Sequence, residues 1–192
     1  MQRSETLAGA QAYVARYIPR VCETSSAWAM VYNTGNGNEL AQVGWLRAAA
    51  WGSYVYYFYE FGTSSTLNPP VQLGIVPGAG TLQQDKFSVF KQTDGSWTFN
   101  INTVSKDTET FSWTPNEGAW MAETHSYPDQ TAGDTSNVVG FTTVAHLGSV
   151  GGTWHQDSPT STYGYNTSPY GSGLWGSGSD FDVYDGRYNS EG

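Results

Sequence analysis

The chain has 192 residues, which is one domain's worth of sequence with room for a full hydrophobic core. Charged residues are only 13% of it and aromatics are 15%. With three Ile and eight Leu it is a poor helical bundle, and Val, Ala and aromatic rings must build an all-β core. Eight Lys plus Arg against 17 Asp plus Glu give a formal charge of −9 with no basic patch, which argues against nucleic acid and anionic membranes as partners.

Residues 1–11 lack the basic-then-apolar pattern of a signal peptide and read as an N-terminal extension of a single domain spanning 1–192. Short strands are then expected at 12–18, 26–33, 39–46, 53–61, 70–76, 85–92, 95–103, 108–114, 119–126 and 137–147. Ten such segments without a convincing helix predict an all-β fold, an antiparallel two-sheet β-sandwich of the concanavalin-like jelly-roll kind. Asn36-Gly37 and Asp94-Gly95 are type I′ hairpin signals, and Pro69-Pro70 and Pro77-Gly78 mark loop or edge positions. In 95–103, Trp97, Phe99 and Ile101 share one face. In 108–114, Phe111 and Trp113 do the same. Segment 53–61 is heavy on both faces, with Tyr54, Tyr56, Phe58 and Glu60 on one and Val55, Tyr57, Tyr59 and Phe61 on the other. It is either a strand with one face on a substrate cleft or a doubly covered central strand. The stretch 148–192 holds ten Gly, eight Ser and eight aromatics, and reads as loops with short strands near Leu174–Trp175 and Phe181–Tyr184.

Cys22 is the only cysteine, so no intramolecular disulfide forms, and His125, His146 and His155 lack metal-ligand spacing. No metal or cofactor is expected. Asp180, Asp182 and Asp185 read as a solvated acidic loop rather than calcium ligands, Asn166-Thr-Ser168 is a glycosylation sequon, and Asp134 and Ser136 make no recognisable triad with His146. The Lys-poor, Ser/Thr/Asn/Gly/Tyr-rich composition leans towards a secreted, extracellular protein, and a monomer is expected.

Three polar residues interrupt apolar strand patterns. Gln42 shares a face with Leu40 and Gly44, Glu60 lies in Tyr56-Tyr-Phe-Tyr-Glu-Phe61, and Glu123 shares a face with Met121 and His125. A strand holds such groups rigidly, and a carboxyl among aromatic rings loses hydration and gains proton affinity. That suits proton transfer in mild acid. Each is also an ordinary residue for a strand end or a solvent face.

Ser26-Ala-Trp28, Ala41-Gln-Val-Gly44, Tyr57-Phe-Tyr-Glu-Phe61, Asp85-Lys-Phe-Ser-Val89 and Ala119-Trp-Met-Ala-Glu123 follow one another along the chain. Their order resembles that of the glutamic peptidase (eqolisin) family, whose stretches are Ala-Trp-Val-Gly, Gln-Thr-Gly, Trp-Tyr-Glu-Trp, Gly-Asp-Ser-Ile and Ala-Glu-Trp-Ile-Val-Glu. The resemblance runs from about Tyr13, through Ile18-Pro19, to about Leu147. It implies a β-sandwich, a protein or peptide substrate, and catalysis by Gln42 and Glu123. Glu123 would be general base and then acid, while Gln42 would place the water and hold the oxyanion. Trp28 and Glu60 match cleft positions of the family. Tyr32, Tyr56, Phe58 and His125 are further substrate-binding candidates on the same strands. Tyr32 stands where the family has a carboxylate, Ala119 where it has a Glu, and its opening Trp-Gly-Gly strand and its disulfides have no counterpart here. Two other readings remain. One is a jelly-roll glycoside hydrolase using Glu60 and Glu123. The other is a non-catalytic extracellular sandwich that binds glycan or protein through its aromatics.

Overall fold

Period-two alternation becomes two sheets in the computed structural model, which describes residues 2–35, 39–63, 66–157, 169–175 and 179–188. The strands are β1 (Gln2–Ser4), β2 (Gly9–Ala15), β3 (Thr24–Asn33), β4 (Glu39–Ala48), β5 (Tyr56–Gly62), β6 (Val71–Ile75) and β7 (Gln84–Lys91). They continue as β8 (Trp97–Ile101), β9 (Val104–Glu109), β10 (Glu117–Thr124), β11 (Val139–Leu147), β12 (Trp154–Gln156), β13 (Tyr170–Trp175) and β14 (Asp180–Asp185). The only helical turn among the described residues is 3-10, at Ala49–Trp51. One sheet runs β1-β10-β3-β4-β5-β6. The other runs β13-β14-β11-β2-β7-β8-β9, with β12 paired to β11. All pairings between these strands are antiparallel. The fold is a β-sandwich.

Its core has the expected composition. Ala27, Ala29, Val31, Val43 and Trp45 of the first sheet meet Ala10, Ala12, Val14, Phe87 and Phe99 of the second, all fully buried. Small residues on β2 and β3 leave room for rings from the opposite layer. Two of those rings also cross the sandwich by hydrogen bond. The Trp45 Nε1–H donates to the Ala15 carbonyl at 3.0 Å, and the Trp120 Nε1–H to the Gln11 carbonyl at 2.8 Å. A buried indole thus keeps a partner for its only donor, and both bonds fix the two sheets in register.

The structure departs from the sequence expectations in several places. The expected extension 1–11 is built into the sandwich: β1 pairs with β10, Ala8 and Ala10 are buried, and β2 starts at Gly9. Segment 108–114 is mostly not strand. The ladder there is β9, which ends at Glu109. Phe111 and Trp113 do share a face, but they leave the sheet edge to stack on Trp97, at 4.6 and 6.1 Å between centroids. Asp94-Gly95 closes a longer turn than a type I′ pair. The Gly95 N–H donates to the Gln92 carbonyl at 3.0 Å, the Gln92 N–H to the Ser96 carbonyl at 2.7 Å, and Gly95 takes φ +91°. That arrangement is a turn followed by a left-handed bulge residue, where glycine carries no steric penalty. Asp180, Asp182 and Asp185 lie on β14 rather than in a solvated loop, and Asp185 is fully buried against Arg187 at 2.6 Å. Asn36-Gly37 and Asn166-Thr-Ser168 fall outside the described residues.

One buried charge locks β2, β5 and β7. Asp85 is fully buried and takes both oxygens to Arg16, at 2.7 Å each. It also accepts from the Tyr57 hydroxyl and the Asn102 amide, at 2.6 Å each. Burial alone would raise its pKa, but the bonds from Arg16, Tyr57 and Asn102 outweigh that and hold it below the usual carboxylate range. Asp85→Asn leaves the Arg16 guanidinium without its counter-charge and should cost about 3–5 kcal/mol, the range for breaking a buried pair from one side. Because the folded pKa is depressed, this stability is present above the unfolded value of about 3.9 and is lost as pH falls through the folded value. Urea unfolding near neutrality should show the full gap between wild type and variant, and unfolding in strong acid a smaller one. An equal gap at both ends would contradict this account.

Candidate active site

The outward face of the first sheet carries the side chains singled out from sequence. Paired residues on antiparallel strands point to the same side, so the register settles the layout. One row is Ala119–Met30–Gln42–Glu60, the next Met121–Trp28–Gly44–Phe58, and the next Glu123–Ser26–Leu46–Tyr56. Gln42, Glu60 and Glu123 therefore share one face. They line one cleft of about 1080 Å³ together with Trp28, Phe58 and His125. Of the two readings of 53–61, the structure supports the cleft: Val55, Tyr57 and Tyr59 join the core while Phe58 and Glu60 face the cavity.

The floor is apolar. Trp28, Leu46, Phe58 and Ala119 are buried together there, with Met30 and Met121 packed against them. Gly44 sits between Trp28 and Phe58 because a Cβ would come within 2.1 Å of the Ala27 carbonyl oxygen and 2.8 Å of the Trp28 Cα. Any side chain at that position would push the β3 backbone away from β4.

Two polar centres stand on this floor. Gln42 and Glu60 are both buried, at 7% and 8% exposure, and the Gln42 Nε2–H donates to Glu60 Oε2 at 2.6 Å. Burial pushes the Glu60 pKa up and the Glu123 charge pushes it further; the Gln42 bond and His125 oppose this without cancelling it. Glu123 is more open. The Trp28 Nε1–H donates to its Oε2 at 3.2 Å, and His125 Nε2 lies 3.6 Å from its Oε1. Gln42 and Glu123 are not on neighbouring strands, since β3 runs between β4 and β10. Trp28 of β3 fills that gap and ties the Glu123 end to the floor beneath Gln42.

The raised Glu60 pKa makes a prediction for stability. A group whose folded pKa lies above its unfolded value of about 4.3 favours the fold fully below that value, and the contribution fades as pH rises through the folded value. Thermal melts of wild type and Glu60→Gln should therefore diverge as pH rises above about 4.3, the variant gaining on the wild type. Parallel curves would show that Glu60 is not held out of water.

Loops from both sheets wall the cleft. Asp129 accepts from the backbone N–H groups of Glu23 at 3.0 Å and Thr24 at 2.8 Å, and also from that of Cys22. This ties the start of β3 to the loop after β10. Arg187 donates to the Asp129 carbonyl at 2.8 Å and lies over the rings of Tyr127 and Tyr170, at 4.6 and 5.2 Å. Tyr127 and Tyr170 both border the cavity. Sequence gave no sign of this wall, because its parts come from three distant segments. Met30 carries no sequence signal of its own although it lies two residues from Trp28 on the same face, while Met121, expected on the face of Glu123, joins it in the floor.

Most of the substrate-binding candidates reach the cleft; one stands aside. Tyr56 shares the face but packs edge-on to Trp51, at 5.6 Å between centroids, at the rim. Tyr32 lines the cavity and its hydroxyl donates to Glu117. A carboxylate is thus present beside the position where the resembled family has one, supplied from β10. Ala119 adds to the apolar floor. Elsewhere, Asp134 accepts from Tyr17 at 2.8 Å. His146 lies between Asp157, at 3.0 Å from Nδ1, and Glu5, at 2.9 Å from Nε2. Among the described residues no group of three or more His, Cys, Asp or Glu has the arrangement of a metal site.

No family profile matches the chain, and no curated protein matches it in sequence. Its fold does match solved structures. Scytalido-glutamic peptidase with a transition state analog inhibitor aligns at a TM-score of 0.61 and 11% identity, covering 96% of this chain and 95% of that one. The same peptidase with a peptide-based transition state analog aligns at 0.59 and 12%, with the same coverage. SCP-B, a member of the eqolisin family of peptidases in complex with the tripeptide Ala-Ile-His, aligns at 0.51 and 12%, covering 95% of this chain and 94% of that one. The chain has the same fold as these peptidases along nearly its whole length.

Proposed function

We propose that the chain is an acid-acting endopeptidase of the glutamic type, with Gln42 and Glu123 as its catalytic pair. The observation that carries the reading is their placement. An amide and a carboxyl open on one apolar cleft, on a fold matched end to end by structures of glutamic peptidases. Glu123 as carboxylate takes a proton from a water, and the hydroxide attacks the scissile carbonyl carbon. The developing oxyanion is met by the Gln42 N–H that Glu60 leaves open. The Glu123 carboxylic acid then gives its proton to the leaving nitrogen as the C–N bond breaks, which returns the carboxylate. An amide does not titrate, so one carboxyl carries the proton cycle, and acid favours its closing step. Trp28 holds the Glu123 carboxylate, and the floor of Phe58, Met30 and Met121 receives substrate side chains. A secreted monomer is the setting that goes with this chemistry.

The glycosidase reading needs Glu60 and Glu123 as partners with Gln42 turned away. Gln42 instead faces the cleft and holds Glu60 at 2.6 Å. The test is cleavage of a denatured protein between about pH 2 and pH 7, with pepstatin present to silence aspartic peptidases. Activity should peak in acid and fall towards neutrality. If the wild type cleaves nothing across that range, the aromatic cleft is a binding surface for glycan or protein.

A further inference from the structure

We infer that Glu60 is the positioning residue that decides which end of the Gln42 amide faces the reaction. An amide has two chemically opposite ends, an NH2 with two donors and a carbonyl oxygen that only accepts. In a catalytic role the two are not interchangeable, since an oxyanion needs the N–H and would be repelled by the oxygen. Nothing in the covalent structure of a glutamine chooses between them. The neighbour across the ladder does. Glu60 pairs with Gln42 in register, and its Oε2 accepts from Nε2 at 2.6 Å. Both side chains are more than nine-tenths buried, so bulk water cannot compete for the bond. With one N–H taken the amide cannot flip, so its second N–H and its carbonyl oxygen are each presented at one fixed place. Met30, the other in-register neighbour of Gln42, offers only a thioether and cannot hold the amide. The charged groups that act on Glu60 are Glu123 of β10 and His125 just beyond its end.

The kinetic consequence rests on the peptidase reading; the amide geometry does not. Glu60→Met keeps the length of the side chain and removes the acceptor. It should lower kcat by about ten- to a hundredfold, the scale of a misplaced catalytic group, while KM stays within about twofold. Glu60→Gln restores an acceptor oxygen and should recover most of the loss. The readout that needs no activity is the Gln42 side-chain NH2 in a nitrogen-15 NMR spectrum, assigned by its absence in Gln42→Leu. In the wild type its two protons should be widely separated, with one shifted downfield and slow to exchange. In Glu60→Met they should collapse towards free-amide values, and in Glu60→Gln stay apart. A coupling through the hydrogen bond between Gln42 Nε2 and Glu60 Cδ tests the same contact without any variant, should Glu60→Met fail to fold. No coupling in the wild type, or an amide pair unchanged in Glu60→Met, overturns the inference, as does a loss confined to KM. A wild type with the expected amide signature and no cleavage supports the positioning by Glu60 and rejects the peptidase reading instead.

Discussion

Glu123→Gln is expected to leave no measurable peptide-bond cleavage at any pH. The substitution keeps size, shape and the Trp28 contact, because an amide oxygen accepts the indole N–H at 3.2 Å as a carboxylate does. What it removes is the ability to take a proton from water and return it to the leaving nitrogen. Both halves of the proposed cycle pass through that one group, so no partial activity remains for a neighbour to carry. His125, 3.6 Å away, is more than half exposed. Steady-state cleavage assays on folded variant, checked by near-ultraviolet circular dichroism, read this out. Residual activity above a thousandth of wild type would show that Glu123 is not the proton carrier.

Gln42→Ala should cost on the order of a hundredfold to a thousandfold in kcat, the usual loss for one oxyanion donor. The effect is smaller than for Glu123 because a water can enter the space and donate in place of the amide. It also exposes Glu60, which loses its hydrogen bond at 2.6 Å in a dry setting. Stability should therefore drop modestly at neutral pH and less in acid, where Glu60 carries its proton. The kinetic loss should fall on kcat rather than KM, since the oxyanion exists only in the transition state. If Gln42→Ala keeps full activity while Glu60→Gln is dead, the two-carboxylate reading was the right one.

Much of the sandwich was legible because alternation reports burial on one face. Trp97, Phe99 and Ile101 declare their strand, and all three are buried. The signal failed where burial does not govern pairing. Strand β9 is the sheet edge, with Lys106 exposed and Val104 more than half exposed, so its residues carry no apolar rhythm. The rhythm two residues further on belongs to Phe111 and Trp113, which stack on Trp97 from outside the ladder. Strand β1 is the three polar residues Gln-Arg-Ser, and it joins the sheet by pairing with β10. In the site, local spacing shows which neighbours each residue has on its own strand, Gln42 with Gly44 and Glu123 with Met121, while one shared face for the pair is implied only by the family resemblance. The placement of β3 between them could not be read from spacing, because β10 joins β3 from more than eighty residues away in the chain. The same holds for the wall built by Asp129, Arg187 and Tyr170, whose partners no local pattern connects. The Gln42–Glu60 contact lies between these cases, since β4 and β5 are consecutive strands and their register depends on the connection that joins them.

The measurement closest to the central claim is hydrolysis of one denatured protein in oxygen-18 water at acid pH, with pepstatin present, followed by mass spectrometry of the peptides. The account predicts that wild type releases peptides whose new C-terminal carboxylates carry oxygen-18 from the attacking water, and that Glu123→Gln releases none. An intact substrate with folded wild type, or equal cleavage by wild type and Glu123→Gln, would contradict it.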